Sequence, residues 1–406
     1  MSFNDLSFLG RSESFFEVDY RKYFEEIKLF FKNKKVVVFG GAGSIGSQVS
    51  FMLSQFNLER LTIIDKDENT LTSLTRKIRN SDKVVVEEIE FMPFEMGSKI
   101  CLSWLSQKRF DVVMNFAAMK HVRSEKDPHT TFAMFETNVY KLQIILDHIR
   151  KYNQKFHCFS VSSDKAVNST SYMGLSKKFM EHGLFEFGKD NIEITASSAR
   201  FANVLFSNGS LPASWEDRMA AGEPISCPKG CKRYFITHEE AAQLCIIATA
   251  VAPTGSILVP KMDPDDYLVQ LEELAKAFLK SKNFEPYQID VMQSAIPNTF
   301  ELIKKQYYPL ILTSLDTAGE KPYEEFASEL EVVQYGIFSR IGYVDYTPGE
   351  FDKEYKLFLK EFEKIYFDLQ ILQNLTFELL LNLVTPLDPA FSRHHVSSEV
   401  NLDERR

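Results

Sequence analysis

The stretch VVVFGGAGSIGS, residues 36–47, decides the fold of this chain. An apolar run typical of a buried strand leads directly into Gly40, Gly43 and Gly46, and a helical pattern follows. In such a unit the first glycine permits a tight turn, the second lets backbone amides approach a pyrophosphate, and the third lets helix and strand pack closely. The helix N-terminus then offers unpaired N–H groups and a favourable dipole to the phosphates. The stretch predicts a dinucleotide-binding unit, although a purely structural glycine turn would have similar letters.

An acidic residue lies where a dinucleotide-binding unit would use one. The second apolar run, residues 61–65, ends in Asp65, about 20 residues after Gly46, as is usual in such units. A carboxylate at this position accepts hydrogen bonds from the adenosine ribose and repels a 2′-phosphate. The sequence therefore predicts NAD as the cofactor in preference to NADP, and Lys66 beside the carboxylate weakens that preference.

Short apolar runs alternate with helical segments along the first half of the chain. The strand-like runs are residues 36–40, 61–65, 84–91, 111–118 and 157–163. This spacing is typical of a parallel, doubly wound sheet whose buried strands lose polar alternation. We therefore expect an α/β fold, a Rossmann-type doubly wound parallel sheet with a smaller C-terminal α/β substrate-binding lobe and flanking helices.

The pattern also divides the chain into four parts. These are an N-terminal helical arm (1–33), an NAD-binding Rossmann domain with the catalytic segment (34–205), a substrate-binding lobe partly interleaved with it (206–350), and C-terminal helices with a flexible tail (351–406). In the arm, residues 19–32 have the pattern of one amphipathic helix. The amphipathic stretch at 351–383 would either cover the substrate lobe or mediate oligomerisation, and the tail is expected from Thr385.

Composition excludes several classes of protein. Apolar residues make up 44% and charged residues 25% of the 406, which excludes wholesale disorder, and the net charge of −9 gives no reason to expect nucleic acid. Five cysteines are an odd, sparse set that favours a reducing compartment. CPKGC (227–231) lacks a second ligand pair, so we expect no metal. Without a signal-peptide pattern or an 18-residue apolar run, we expect a cytoplasmic protein that does not insert into membranes.

The helical segment after the fifth apolar run carries a lysine one helical turn after a methionine. Lys177 lies four residues after Met173, so the two side chains share a helix face. In dehydrogenases of this architecture that face normally carries a tyrosine and a lysine, and the phenol takes the alcohol proton as hydride leaves. Met173 cannot transfer a proton. Tyr172 is one residue away, about 100° around the helix, and would not substitute without a change of register.

Other groups must therefore move protons, and the end of the fifth strand supplies them. Ser163, Asp164 and Lys165 follow the apolar run at the carboxyl edge of the sheet, where open parallel sheets bind ligands. An adjacent carboxylate and amine buried against a cofactor would serve as acid and base. The alternative is an Asp-Lys pair in a surface turn.

Six motifs together resemble one family. In order they are GGAGSIGS, NFAAMKHV, SSDKAVN, MGLSKKFME, ARFANVLFSNGS and RYFITHEEAAQL. They are similar to the capsule-type nucleotide-sugar 4,6-dehydratases, extended short-chain dehydrogenase/reductases that act mainly on UDP-N-acetylglucosamine. The resemblance covers residues 34–262 and resumes with DTAGEKPYEEF at 316–326.

The resemblance implies a reaction without net redox change. NAD+ takes hydride from C4 of the sugar, water leaves across C5 and C6, and the hydride returns to C6. Lys165 would remove the C5 proton, Asp164 would protonate the departing C6 hydroxyl, and Ser163 would contact the C4 oxygen. Methionine at position 173 is typical of members that retain the C5 configuration, and Lys177 would bind the nicotinamide ribose.

The same resemblance implies binding residues. For the cofactor these are Gly40, Gly43, Ser44, Ile45, Gly46, Asp65, Lys66, Ala117, Ala118 and Lys177. For a UDP-sugar substrate, Lys120 and Asn203 would contact the substrate and Arg233 the diphosphate, which suits a guanidinium fork. Two departures stand out: Glu95 is the nearest acid where the family has an adenine-contacting Asp, and the segment near 282–306 is lengthened by a helical stretch.

Three other functions compete with a retaining UDP-N-acetylglucosamine 4,6-dehydratase. One is dehydration of a GDP-linked or other nucleotide hexose. Another is a nucleotide-sugar 4-epimerase, which has no need of the Asp-Lys pair but does need the missing tyrosine. The third is a non-catalytic NAD-binding regulator. In each case we expect a homo-oligomer.

Overall fold

The computed structural model describes residues 5–121, 125–153, 155–189, 193–290, 299–313, 323–347 and 351–394. Its strands are β1 Lys35–Phe39, β2 Arg60–Ile64, β3 Glu88–Met92, β4 Val112–Asn115, β5 Phe156–Val161, β6 Ile194–Ala199, β7 Asn203–Val204, β8 Ile225–Pro228, β9 Lys232–Ile236, β10 Ser256–Pro260, β11 Leu268–Gln270, β12 Glu285–Asp290, β13 Tyr307–Thr313, β14 Val333–Gln334 and β15 Ile341–Asp345.

Helices lie between and after these strands. They are α1 Asp5–Phe8, α2 Glu17–Lys22, α3 Phe24–Phe31, α4 Ser44–Leu53, α5 Glu68–Arg79, α6 Lys99–Leu105, α7 Pro128–Phe135, α8 Lys141–Tyr152, α9 Tyr172–Lys189, α10 Leu211–Ala220, α11 His238–Ala250, α12 Pro264–Tyr267, α13 Leu271–Ser281, α14 Thr299–Ile303, α15 Asp352–Phe367, α16 Leu369–Gln373, α17 Phe377–Val384 and α18 Phe391–His394. A π-helical turn at Glu136–Tyr140 joins α7 to α8, and a 3₁₀ turn at Asp164–Ala166 follows β5.

The main sheet has the order β14-β15-β10-β6-β5-β4-β1-β2-β3. In this sheet the seven strands β10, β6, β5, β4, β1, β2 and β3 are parallel to one another, and β15 and β14 add an antiparallel edge. Chain order reverses between β1 and β4, and the carboxyl ends of the strands at such a reversal form the ligand-binding crevice of doubly wound folds. The predicted fold class is confirmed.

A lobe of two small sheets stands beside the main sheet. Its sheets have the orders β12-β13-β8 and β11-β9-β7, and its core surrounds Trp215 and Phe278. The CPKGC segment (227–231) spans the connection from β8 to β9, and both cysteines are buried. The expected extra helical stretch near 282–306 is wrong at its start, because residues 285–290 pair with β13 as a strand. The same stretch ends in a short helix, α14, at Thr299–Ile303. Its middle, residues 291–298, lies outside the described residues, as do residues 314–322, which hold most of DTAGEKPYEEF, and residues 395–406.

Two N-terminal predictions differ from the structure. The single helix expected over residues 19–32 is two helices, α2 and α3, separated at Tyr23, whose hydroxyl donates to the carbonyl of Ile337. Ile27 and Phe31 are fully buried in the same core cluster as β1. The third strand begins at Glu88 and not at 84, because the preceding residues cross the end of α4 and the amide of Val85 donates to Ser54.

The C-terminal helices pack on α7 and α9 and not on the lobe of two small sheets, so they cover the helix that carries Met173 and Lys177. Tyr355, Phe358 and Phe362 of α15 are buried there, and Leu387 and Phe391 are buried too. Residues 385–391, which were expected to belong to a flexible tail, are therefore packed in this layer. Within the described part of the chain, no helix combines the length and apolar character needed to cross a bilayer.

Candidate active site

The loop between β1 and α4 is so tightly packed that two of its glycines have no room for a side chain. Gly40 has a φ of +68°, and a Cβ there would lie 2.4 Å from the backbone nitrogen of Ala117. A Cβ on Gly46 would lie 2.1 Å from the carbonyl oxygen of Gly40. The tight turn and the close approach of helix and strand that the motif predicts are therefore both present.

Gly43 differs from these two, because the protein leaves room for a side chain there. An added Cβ would make only an ordinary contact of 3.4 Å with the Gly40 oxygen. Gly43 is the N-cap of α4, and no described side chain caps the first N–H groups of that helix. Uncapped N–H groups beside an open glycine fit the diphosphate of a dinucleotide. Ser44 accepts a hydrogen bond from the amide of Asn208, which ties this loop to the start of the lobe, and Ile45 packs against the core.

Asp65 lies at the end of β2, against the glycine loop. Its Oδ2 accepts a hydrogen bond from the Ala42 amide at 3.0 Å, and its Oδ1 accepts one from the Asp67 amide at 3.0 Å. These bonds fix the carboxylate beside the expected adenosine pocket and leave further lone pairs for ribose hydroxyls. Lys66 is exposed next to it.

Glu95, the acid nearest the expected adenine contact, has a partner in the protein. Lys141 of α8 lies 2.7 Å from its carboxylate and also 2.9 Å from Glu136. The hydrogen bond from Lys141 lowers the pKa of the Glu95 carboxyl below its usual range. The carboxylate is therefore held by α8 at the edge of the expected pocket.

Residues after β4 meet the glycine loop at the reversal of strand order. Buried Asn115 donates to the Ser160 hydroxyl at 3.0 Å and accepts from the Ala117 amide at 3.1 Å. This pair of bonds fixes the chain direction as it leaves β4. Ala117 and Ala118 are thereby placed half-buried beside Gly40, as a cofactor-lining segment requires.

The structure brings the three predicted acid–base residues together in one turn. The Ser163 hydroxyl donates to Asp164 Oδ1 at 2.8 Å and accepts from the Lys165 amide at 3.2 Å. Lys165 Nζ lies 3.4 Å from Asp164 Oδ2. The Asp164 side chain is 7% exposed and that of Lys165 is 42% exposed, so the carboxylate is buried while the lysine side chain is open to solvent. This burial disfavours the alternative of a surface turn.

Helix α9 approaches that turn closely because of Gly174. A Cβ on Gly174 would lie 2.1 Å from the Lys165 carbonyl oxygen, so no other residue fits without moving the helix. Met173 and Lys177 are buried on α9, and Lys177 Nζ donates to the carbonyl of Val161 at 3.0 Å. Burial lowers the pKa of the Lys177 ammonium to about 8. The lysine is thus anchored to the end of β5, one residue before the serines.

Tyr172 packs with the C-terminal helices. Its ring centroid lies 4.9 Å from that of Phe391 and 6.2 Å from that of Phe377. Burial raises the pKa of its phenol to about 12, so the hydroxyl would be a poor proton acceptor. Both observations support the prediction that Tyr172 does not replace the missing tyrosine at 173.

Glu125 is a site residue that the sequence did not reveal. Its two carboxylate oxygens accept hydrogen bonds from the amides of Met173, at 2.8 Å, and Tyr172, at 3.0 Å. It therefore caps α9 at the end that carries the candidate catalytic residues. No local spacing signals this role, since the cap comes from 47 residues upstream.

Two of the three predicted substrate contacts, Asn203 and Arg233, lie on strands β7 and β9 of the lobe, whereas Lys120 follows β4 of the main sheet. Asn203 and Arg233 both meet the buried carboxylate of Glu324, a second residue that the sequence did not reveal. Lys120 is open to solvent, yet partial desolvation by the surrounding protein lowers the pKa of its ammonium. The pKa of His238, at the start of α11, is lowered by burial and then by the charge of Lys120, which indicates that the two residues are neighbours.

A family model described as polysaccharide biosynthesis protein matches residues 36–341, about three quarters of the chain. The chain belongs to this polysaccharide biosynthesis family. The family-level resemblance inferred from the motifs is thereby confirmed.

Curated relatives of this family member are similar over most of its length. CapD, a capsular polysaccharide biosynthesis protein of Staphylococcus aureus, is 27% identical over 340 residues, which are 82% of this chain and 52% of CapD. EpsC, a probable polysaccharide biosynthesis protein of Bacillus subtilis, is 27% identical over 320 residues, 78% of this chain and 48% of EpsC. The chain therefore spans about half the length of both relatives.

Solved structures agree on the fold. Pen from Bacillus thuringiensis superposes with a TM-score of 0.63 at 22% identity, over 79% of this chain and 90% of Pen. UDP-glucuronic acid 4-epimerase from Bacillus cereus, solved with UDP-glucuronic acid and NAD, gives a TM-score of 0.53 at 17% identity, over 72% of this chain and 90% of that one. At these identities the likeness concerns the fold of this polysaccharide biosynthesis family member.

Proposed function

We propose that this chain catalyses NAD-dependent 4,6-dehydration of UDP-N-acetylglucosamine to UDP-2-acetamido-2,6-dideoxy-α-D-xylo-hexos-4-ulose, in the cytoplasm, as a homo-oligomer and for bacterial surface-polysaccharide or amino-sugar synthesis. The observation that carries the proposal is the Asp164–Lys165 pair, a buried carboxylate beside an exposed amine, at the end of β5 and next to a helix with methionine at position 173. Redox catalysis alone has no use for such a pair, whereas elimination of water needs both an acid and a base.

The cofactor loop supports NAD. The uncapped N-terminus of α4 would bind the diphosphate, Asp65 the adenosine ribose, and Lys177 the nicotinamide ribose. When bound, the cofactor would supply the hydride acceptor for C4 as NAD+ and the hydride donor for C6 as the NADH formed from it. The related CapD and EpsC are capsular or probable polysaccharide biosynthesis proteins, and a neighbour of the same fold was solved with a UDP-sugar and NAD, which accords with this choice.

Ser163, Asp164 and Lys165 would account for the protons that the reaction moves. As hydride leaves C4, Ser163, whose hydroxyl donates to Asp164 Oδ1 at 2.8 Å, would pass the C4 hydroxyl proton to the Asp164 carboxylate. Lys165, as a neutral amine 3.4 Å from Asp164 Oδ2, would remove the C5 proton while Asp164 gives its proton to the leaving C6 hydroxyl. As hydride returns to C6, Lys165 would give its proton back to C5.

A 4-epimerase is the second candidate, because UDP-glucose 4-epimerases are also related. That of Rickettsia bellii is 23% identical over 266 residues, 62% of this chain and 73% of the epimerase. Both reactions begin with oxidation at C4, so Met173 and the packing of Tyr172 against Phe391 do not separate them. The Asp164–Lys165 pair favours the dehydratase, because epimerisation loses no water and has no use for this acid and base.

Mass spectrometry of UDP-N-acetylglucosamine incubated with the protein, with and without added NAD+, tests the proposal. We expect loss of one water without accumulation of NADH. D164N and K165A should each abolish this loss while NAD binding persists. K155A is the matched control, since Lys155 is an exposed lysine away from the turn. Unchanged turnover in both site variants would contradict the assignment. An unchanged mass in the wild type would direct the search to GDP-linked sugars and then to a non-catalytic role.

Product stereochemistry tests the role assigned to Met173. We expect NMR of the fresh product to show retention at C5, the D-xylo ketosugar. An L-arabino product would contradict that assignment while leaving the dehydration intact.

A further inference from the structure

Glu324 is a buried carboxylate whose partners are both candidate substrate contacts. Its Oε1 accepts a hydrogen bond from Asn203 Nδ2 at 2.5 Å and lies 3.4 Å from Arg233 Nε. Its Oε2 accepts one from the backbone amide of Tyr234 at 3.1 Å. Three donors from two separate strands, β7 and β9, therefore converge on this one carboxylate.

The partners of Asn203 settle which way its amide points. Nδ2 donates to Glu324 Oε1 and to the Tyr234 carbonyl oxygen at 3.1 Å. Both of these groups only accept hydrogen bonds, so the nitrogen and not the oxygen of the Asn203 amide must face them. Both amide protons are thereby used. Oδ1 is the group that remains, and no described residue donates a hydrogen bond to it.

We infer that Glu324 is a positioning residue that fixes Asn203 as a hydrogen-bond acceptor for the sugar, so that the site selects a sugar with a donor at that point, a hydroxyl or an amide N–H. This inference rests on the proposed function in one respect, that the ligand is a nucleotide sugar. It adds a residue from a segment that carried no predicted site residue, and it states the chemistry of the group that Asn203 recognises.

The surroundings of Glu324 link it to the candidate catalytic turn. Burial raises the pKa of the Glu324 carboxyl, and the charge of Asp164 raises it further, which indicates that the two carboxylates are neighbours. A sugar held by Asn203 would therefore lie within reach of the turn that carries Asp164. Arg233, on the other side of the same carboxylate, is half-buried and is held on the lobe side of the cleft.

Replacing Glu324 with glutamine should disrupt the hydrogen bonds that orient the Asn203 amide. A glutamine offers one acceptor and one donor group, and the Tyr234 amide takes the acceptor. The remaining NH₂ group then faces Asn203 Nδ2, and turning the Asn203 amide over would place its oxygen against the Tyr234 carbonyl. Neither orientation of the Asn203 amide satisfies both neighbours, so its oxygen no longer has a fixed direction in which to accept a hydrogen bond.

The test compares two ligands by isothermal titration calorimetry on NAD-loaded protein carrying K165A, which blocks elimination. The ligands are UDP and, from a panel led by UDP-N-acetylglucosamine, the UDP-sugar that this parent binds most tightly. Both share uridine and diphosphate, so the dissociation constant of UDP divided by that of the UDP-sugar measures the contribution of the sugar. We expect E324Q to lower this ratio by about tenfold or more, the usual cost of a mispaired buried group. E325Q is the matched control at the adjacent exposed glutamate and should leave the ratio unchanged.

Each outcome decides between the two ideas. If Glu324 has a merely structural role, E324Q would lower the melting temperature and the affinity for UDP, but its ratio would equal that of the parent. This result would overturn the inference and leave the proposed function standing. If E324Q does not fold, N203A provides the same test, and an unchanged ratio there overturns the inference equally. If the parent binds no UDP-sugar more tightly than UDP, the inference and the proposed function fall together.

Discussion

Gly43 and Gly46 lie in one loop but should respond differently to substitution by alanine. Gly43 has an ordinary φ of −67° and room for a Cβ, so G43A should change the free energy of unfolding by less than about 0.5 kcal/mol. It should still weaken NAD binding about tenfold or more, since the methyl group would occupy space next to the diphosphate. G46A should destabilise the apoprotein by about 1–3 kcal/mol, because its Cβ would collide with the Gly40 carbonyl oxygen.

Urea unfolding without cofactor, together with NAD titration, separates the two effects. Wild-type NAD affinity in G43A would contradict the assignment of the diphosphate to this loop.

His182 should make stability depend on pH. It is buried on α9, its Nδ1 is bonded to Tyr346, and its Nε2 has no hydrogen-bond partner among the described residues. Burial, followed by the charges of Lys178 and Arg200, lowers its pKa to about 3. In the unfolded chain this imidazole takes up a proton near pH 6.5, whereas in the folded protein it stays neutral until about pH 3. The free energy of unfolding is therefore unaffected by His182 above about pH 6.5 and falls as the pH decreases from there towards 3.

We therefore expect acidification to reduce the free energy of unfolding more in the wild type than in H182Q, by up to about 1.4 kcal/mol per pH unit. Urea unfolding at about pH 7.5 and about pH 5.5 measures the difference. H129Q, at an exposed histidine, is the control and should follow the wild type. Equal acid sensitivity of H182Q and the wild type would show that this ring does not stay neutral in the fold.

Residues could be predicted where the chemistry is local in the chain. The glycine spacing, the acid at the end of the second strand and the lysine four residues after Met173 are all set by one turn of helix or one strand end. Glu125 and Glu324 are different, because each acts on a segment far away in sequence. Glu324 lies within the DTAGEKPYEEF motif, but the motif does not reveal its partners. Only the folded arrangement shows which amides their carboxylates bind.

Helix α15 docks on α9 at a glycine. A Cβ on Gly183 would lie 2.0 Å from the hydroxyl oxygen of Tyr355 and 2.6 Å from the ring carbon that bears it, so G183A must displace that ring. We expect a loss of about 1–3 kcal/mol in the free energy of unfolding and lower activity, since α9 carries Met173 and Lys177. In a Y355A background the obstruction is absent, and G183A should cost nothing further or even stabilise the helix slightly.

Chemical denaturation of the two single variants and the double variant measures this coupling. An equal cost of G183A in both backgrounds would contradict the docking of α15 at that position.

Strands could be predicted where an apolar run of the sequence corresponds to a strand that is buried in the sheet. The runs at β1, β2 and β5 are buried apolar strands, and the structure has them within a residue or two of the expected bounds. The run at 84–91 is apolar as well, but Val84 and Val86 pack against the core while their backbone crosses the end of α4, so only its second half pairs with β2. Apolar character alone does not reveal which backbone groups find a neighbouring strand.

At the scale of the whole molecule, the parallel sheet followed from the alternation of strands and helices. The antiparallel edge of β15 and β14 and the C-terminal layer on α9 did not, because both depend on where a distant segment returns to the core. The homo-oligomer and the division of the chain into four parts stay predictions.

The central claim is that hydride moves within one sugar, from C4 to C6, as water leaves. UDP-N-acetylglucosamine deuterated at C4 tests this claim most directly, with the product examined by mass spectrometry and NMR. The account predicts loss of one water and deuterium in the new C6 methyl group. Deuterium retained at C4 of an epimerised UDP-sugar, or unreacted substrate in the presence of bound NAD, would contradict it.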